Sequence, residues 1–391
     1  MEKYFTTNIG RADSARFAPG KITIFLVAFY FVLSVFELYY QNFTGPLTRY
    51  YLVFLMIVLL LSYKKVRFGS IQLLIMFWLL FKFLSATWAP FNDSDVFSRH
   101  LLSQIGMVGL VIVLSIERYD QESINKLVNV LFYSSVAMGI LTMFFAKPFI
   151  GEDARMAVDL FGIQEDPNNL AAIYLVGITI ALYYILFERK RILVNIAFIG
   201  INSLALGMTG SRAGLISLIV VLVCMAFLNN KKYSIRNMIT RLFFTSGILA
   251  FLYLLATVLP DAAYGRLFVD DYSVGGWSNR DLLWNKGIDL FIQKPIFGWG
   301  WGYVEGLHNT LLTILVDVGL FGTLIFVVFL AKIIFEGMRA KKPLAVMLLV
   351  AGLIPSLSID AINKRFFWNG IIVSVMLLNA YKNESKDEEK R

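Results

Sequence analysis

Charge is scarce in this chain. Only 16% of its 391 residues are Asp, Glu, Lys or Arg, against about a quarter in soluble globular proteins. Hydrophobic residues make up 58%, and mean hydropathy is +0.68. The polar residues are too few to cover a soluble surface, so lipid must be part of the solvent. Cysteine is limited to Cys224, inside an apolar run. A lone thiol excludes a disulfide framework and a cysteine metal cluster. Histidine is limited to His100 and His308, and no acidic pair has metal-ligand spacing, so neither a metal nor a cofactor is expected. No internal repeat is visible. A net charge of +9 would suit nucleic acid, but the basic residues sit between apolar runs, the pattern of membrane orientation signals. No nucleic-acid partner is expected. The polar stretch Met1 to Gly20 lacks a signal-peptide pattern, so the first apolar run is expected to act as its own insertion signal.

What the chain has in plenty is long apolar runs. A bilayer span needs about 20 mostly apolar residues, because lipid offers no partner to open backbone. Twelve stretches qualify: 22–40, 47–63, 69–88, 100–116, 127–146, 168–187, 192–210, 213–228, 242–259, 311–331, 343–358 and 366–381. The second, eighth and eleventh are short, which leaves a re-entrant segment open. With both termini cytoplasmic, 24 of the 36 Lys and Arg fall inside and 11 outside, the bias the positive-inside rule requires. The expected fold is all-α: one polytopic membrane domain over residues 1–391 with about twelve helices. A long extracytoplasmic loop at 260–310 is expected within it. Loops of that length are usually functional.

That loop holds four of the seven tryptophans, Trp277, Trp284, Trp299 and Trp301. From Arg280 to Lys294 apolar residues recur near helical spacing. Ser278 or Asn279 can cap this stretch, Asp281 suits its first turn, and Pro295 ends it. It reads as a helix lying on the membrane surface. The run from Gly298 to Tyr303 follows, alternating glycine with Trp299, Trp301 and Tyr303. With Trp277, these rings form either an interfacial aromatic belt or a platform for sugar faces or an isoprenoid chain.

Four polar residues carry candidate chemistry on that side. His308 opens the tenth span, and histidine is the side chain best suited to act as a base near neutral pH; the alternative is an interfacial or capping role. His100 also lies at an outer boundary, without a comparable loop. Arg212 sits in the Thr209-Gly210-Ser211-Arg212 turn between two spans, either snorkelling or matching a phosphate with its guanidinium fork. Arg280 starts the surface helix, where a cation is unfavourable to the helix dipole unless something anionic compensates. Lys82 lies within the third span, again either snorkelling or facing a phosphate. Together these cations suit a lipid phosphate or pyrophosphate. Asp317 and Asp360 can balance them.

At these residues the sequence resembles the O-antigen ligase and polymerase superfamily. Three ordered blocks carry the resemblance: Thr209-Gly210-Ser211-Arg212-Ala213-Gly214; Ser278-Asn279-Arg280-Asp281 with Trp284 and Lys294-Pro295-Ile296-Phe297-Gly298-Trp299-Gly300; and His308-Asn309-Thr310-Leu311-Leu312 with Asp317-Val318-Gly319-Leu320-Phe321-Gly322. Asp166-Pro167-Asn168-Asn169-Leu170-Ala171 is similar to a block of capsular and O-antigen polymerases. The resemblance implies a metal-independent, GT-C-like glycosyltransferase of the bacterial inner membrane. Its donor would be an oligosaccharide on undecaprenyl pyrophosphate at the outer leaflet. Arg212 and Arg280, with Lys82, would hold the pyrophosphate, and His308 would orient or deprotonate the acceptor hydroxyl. A polymerase transfers to another lipid-linked repeat unit, a ligase to a lipid A core. The Asp166 block favours the polymerase, with a flippase and chain-length regulators as candidate partners. A lipid-linked glycan flippase or other transporter is the alternative of another class, and it should show repeat symmetry and midplane charges.

Overall fold

The computed structural model describes residues 20–63, 68–90, 94–116, 119–150, 152–228, 257–269 and 280–380, with a few positions between 239 and 254. Apolar helices follow one another. They are α1 (Lys21–Thr44), α2 (Leu47–Ser62), α3 (Ser70–Ser85), α4 (Ser94–Ile116), α5 (Gln121–Phe145), α6 (Pro167–Tyr183), α7 (Ile192–Met208) and α8 (Arg212–Leu228). After the short α9 (Asp261–Tyr264) come α10 (Arg280–Gln293), α11 (Thr310–Arg339), α12 (Pro343–Ser356) and α13 (Arg365–Leu378). Among the described residues five helices are long and apolar enough to cross a membrane, those beginning at Lys21, Ser70, Gln121, Pro167 and Thr310. Six more are apolar but shorter. The ninth expected span, 242–259, lies largely outside the described residues, as do Ser278 and Asn279.

Every residue of α6 from Pro167 to Leu182 is buried, which explains why its sequence is apolar on all sides. It touches α5, α7, α8 and α12 and forms the axis of the bundle. Its start is fixed locally. Asp166 caps it by accepting from the Asn168 N–H at 2.7 Å, and Pro167 occupies the first turn, where a missing N–H costs nothing.

Two features depart from the expected picture. First, the segment between α5 and α6 is a three-stranded antiparallel sheet, β1 (Ala146–Phe149), β2 (Glu152–Leu160) and β3 (Ile163–Gln164), in the order β1-β2-β3. Phe161 and Gly162 turn the chain with φ of 59° and 76°, the left-handed pair that a two-residue hairpin turn requires. The mostly helical architecture therefore carries a small sheet beside its helices. Second, α11 is broken. Gly319 has φ 64° and ψ −168°, so the expected continuous span is two helical pieces.

The connections gather at two ends of the bundle. At one, Thr310 bonds Ile359 O and Ala361 N, Tyr39 bonds Val158 O, and Arg365 pairs with Glu37. At the other, Lys342 donates to Gln121 at 3.0 Å, and Gln72 and Asn379 both donate to Ser115 O. The alternation read from the apolar runs assigns the same segments to the same sides.

Candidate active site

The Thr209–Arg212 turn is where α7 ends and α8 begins. Gly210, with φ 59°, makes the turn. The Ser211 hydroxyl donates to Asn168 Oδ1 at 2.9 Å, and a Cβ at Gly214 would stand 2.8 Å from that of Ala171. Two sequence blocks far apart in the chain are thus one structural unit: the cap of α6 and the turn before α8. Arg212 is half-buried, and its Nε donates to Arg266 O at 2.9 Å. Arg266 donates in return from Nε to Gly210 O at 3.3 Å. From β2, Arg155 reaches the same turn: its Nε donates to Thr209 O at 3.3 Å, and its Nη2 stands 4.0 Å from Asp166 Oδ1.

The glycine-aromatic run explains the break in α11. The Trp299 N–H donates to Val316 O at 2.8 Å and the Gly300 N–H to Asp317 O at 2.9 Å. The Leu320 and Phe321 N–H groups donate to Pro295 O and Ile296 O. The backbone groups that leave the helical ladder at Gly319 are therefore satisfied by the loop, as buried backbone requires. A Cβ on Gly298 would stand 2.5 Å from Asp317 O, and one on Gly319 would strike Ile296 O. Two more sequence blocks prove to be two strands of one interlock.

The aromatic residues of this loop separate by role. Trp301 is 1% exposed, its N–H bonded to Ser85 Oγ. It anchors the loop to α3 and offers no face to a glycan, contrary to the expectation for it. Trp299 and Tyr303 stack at 4.6 Å, half-buried, with Lys294 Nζ 4.0 Å over the Trp299 ring. Trp277 lies outside the described residues. Lys82, expected beside a pyrophosphate, is fully buried. Its ammonium stands 3.5 Å from Asp317 Oδ2 and between the rings of Trp78 and Trp301 at 5.3 and 5.2 Å. Its charge is engaged inside the bundle, and it braces the aromatic loop instead of facing the surface.

His308 is exposed, in the left-handed region with φ 50°, one residue before the cap. Asn309 Oδ1 accepts from the Leu312 N–H at 3.0 Å, so Asn309, not His308, caps α11. Partial burial lowers the His308 pKa. Arg280 and Lys364 push in the same direction, and Asp166 opposes them. These four residues, from four separate elements, share one electrostatic neighbourhood. Thr310 secures it by holding the Ile359–Ala361 segment, which carries Asp360. Burial raises the Asp360 carboxyl, against the pull of Lys82 and Lys364.

Arg212 is thus joined to the start of α6 through Ser211 and Asn168, and His308 lies in electrostatic reach of Asp166, the cap of that helix, and of Arg280. Lys82 lies apart. Arg155, Arg266 and Lys364 stand in no motif of the sequence. The available signal was membership of the 11 outer cations. The side of the bundle alone gives no partner.

Residues 196–327 match the family model described as O-antigen ligase. Over this third of the chain the resemblance to the O-antigen ligase and polymerase superfamily holds. No curated protein matches the chain. The matched stretch contains Arg212, Arg266, Arg280 and His308; Arg155, Asp166, Asp360 and Lys364 join them from outside it.

Proposed function

We propose, taking the O-antigen ligase match as the premise, that this protein polymerises undecaprenyl-pyrophosphate-linked oligosaccharide repeat units at the outer leaflet. The observation that carries the reading is the joining of the Asp166–Ala171 block to the Thr209–Arg212 turn, with His308 in electrostatic reach of Asp166 and Arg280. Arg212 and Arg280 hold the pyrophosphate. A guanidinium fork matches its oxygens, and fixed cations stabilise charge as it develops on the leaving group. An acceptor hydroxyl attacks the anomeric carbon as the bond from that carbon to the pyrophosphate oxygen breaks. The hydroxyl proton passes to His308, and lipid pyrophosphate departs. The lowered His308 pKa supports this role, since a base must be neutral to accept a proton. Trp299 and Tyr303 offer the glycan a stacked aromatic edge. The chemistry needs no metal.

Ligation to a lipid A core is the second reading, favoured by the description of the matched family. Purified protein given only lipid-linked repeat units should make chains of several repeats, and a chelator should not stop it. Product appearing only after lipid A core is added would make it a ligase. Donor crossing a bilayer without any glycosidic product would make it a flippase.

A further inference from the structure

The turn that presents Arg212 has a mixed electrostatic character, since α8 begins at Arg212 with N–H groups that favour an anion. It is also the C-terminal end of α7, where carbonyl groups leave the helical ladder and carry partial negative charge. An anion approaching Arg212 therefore meets the carbonyls of Thr209 and Gly210. Both are covered by guanidinium groups: Arg155 Nε donates to Thr209 O at 3.3 Å, and Arg266 Nε donates to Gly210 O at 3.3 Å. Arg266 O then accepts from Arg212 Nε at 2.9 Å, which fixes the direction of that side chain. Arg155 is 5% exposed, so it reaches the turn from within the protein. Its guanidinium also lies 6.0 Å from the centre of the Phe149 ring, held by the small sheet.

We propose that Arg155 and Arg266 are positioning residues of the anion site. They convert a carbonyl-rich helix end into a cationic cradle and set the direction of Arg212. The sheet between α5 and α6 exists on this account to deliver Arg155. The ligand chemistry is a pyrophosphate ester. The inference rests on the proposed function, because it takes the anion at Arg212 to be the pyrophosphate of the donor.

The test uses the full chain in detergent and farnesyl pyrophosphate as a probe without a glycan. Binding is measured by calorimetry for wild type, Arg212→Ala, Arg155→Gln, Arg155→Lys and Arg266→Gln, with thermal unfolding recorded for each without ligand. Arg155→Gln and Arg266→Gln should each weaken binding by about tenfold, since charge-assisted contacts are the strong ones. Arg155→Lys should recover much of the loss, because charge over Thr209 O is retained; a merely structural role, which needs the planar fork, would not be rescued. If Arg155→Gln does not fold, Arg266→Gln alone carries the test. Wild-type affinity in the glutamine variants, beside a clear loss in Arg212→Ala, would overturn this inference and leave the proposed function standing. No binding by wild type, or none lost in Arg212→Ala, would overturn both.

Discussion

At the scale of single residues, the site works by what surrounds each group. His308 is a partly exposed imidazole with two cations and one carboxylate in range, and its partial desolvation is the largest influence on it. Its pKa lies below the ordinary 6.5, so the neutral form persists as pH falls through that value. Turnover should therefore stay level from neutral pH to about 6.5 and decline only on the acid side. Lys364→Gln removes a positive neighbour and should move that decline to higher pH. Asp166→Asn removes the opposing negative charge and should move it lower, with the cap of α6 retained because Asn also caps helices. Turnover measured against pH in the three proteins checks this. Shifts in the same direction, or none, would separate His308 from the rate-limiting proton transfer. His308 was legible from its position at a span boundary. The buried state of Lys82 and Trp301 was not, because a lysine or tryptophan near a span end reads the same whether it snorkels outward or packs inward. Only the location of Asp317 and Ser85 distinguishes the two.

At the scale of elements, the central feature is the interlock between the glycine-aromatic run and the break in α11. An apolar run such as Thr310 to Arg339 gives no local sign of interruption, since the N–H groups that replace the helical ladder come from Trp299 and Gly300. The motif residues were visible in the sequence; that two of the motifs pair with each other was not. Gly319→Ala puts a side chain into a left-handed backbone, a strain of about 1–3 kcal/mol, and drives its Cβ into the Ile296 carbonyl. It should lower thermal stability and reduce glycan transfer per folded molecule, since α11 carries His308 at its start. Gly352→Ala in α12 serves as a control: its Cβ would make only ordinary contacts, the nearest with Phe367 O at 3.6 Å, and φ there is ordinary. Equal losses in the two variants would mean that the interlock has no special role. The β1–β3 sheet escaped the sequence reading for a different reason. Its strands are short and lie between two strong apolar helices, where a polar stretch reads as a loop. The Phe161-Gly162 turn could have signalled the hairpin.

At the scale of the whole molecule, the order of apolar runs sorts the connecting segments into two sets, one for each side. The structure gathers those segments accordingly. Helical class was legible because a membrane-spanning helix satisfies its own backbone; the number of spans depends on helices such as α12 and α13, too short by composition alone to decide it. Absolute orientation is a prediction from charge bias. In a Cys224→Ala background, Ile150→Cys, in the exposed turn after β1, should react with an impermeant thiol reagent in intact cells. Lys190→Cys, after α6, should react only after lysis. The reverse pattern would move the site to the cytoplasm.

The central claim is that Arg212, Arg280 and His308 divide the work of one transfer reaction, with the arginines holding the donor and His308 taking the proton. The most direct measurement compares donor binding and turnover in the same purified preparations of wild type, His308→Ala and Arg280→Lys. In His308→Ala, binding of the lipid-linked donor should be unchanged while turnover per folded molecule falls by about 10²–10⁴-fold. In Arg280→Lys, binding and turnover should fall together as the bidentate fork is lost. Turnover retained in His308→Ala at the wild-type rate per folded molecule would contradict the account.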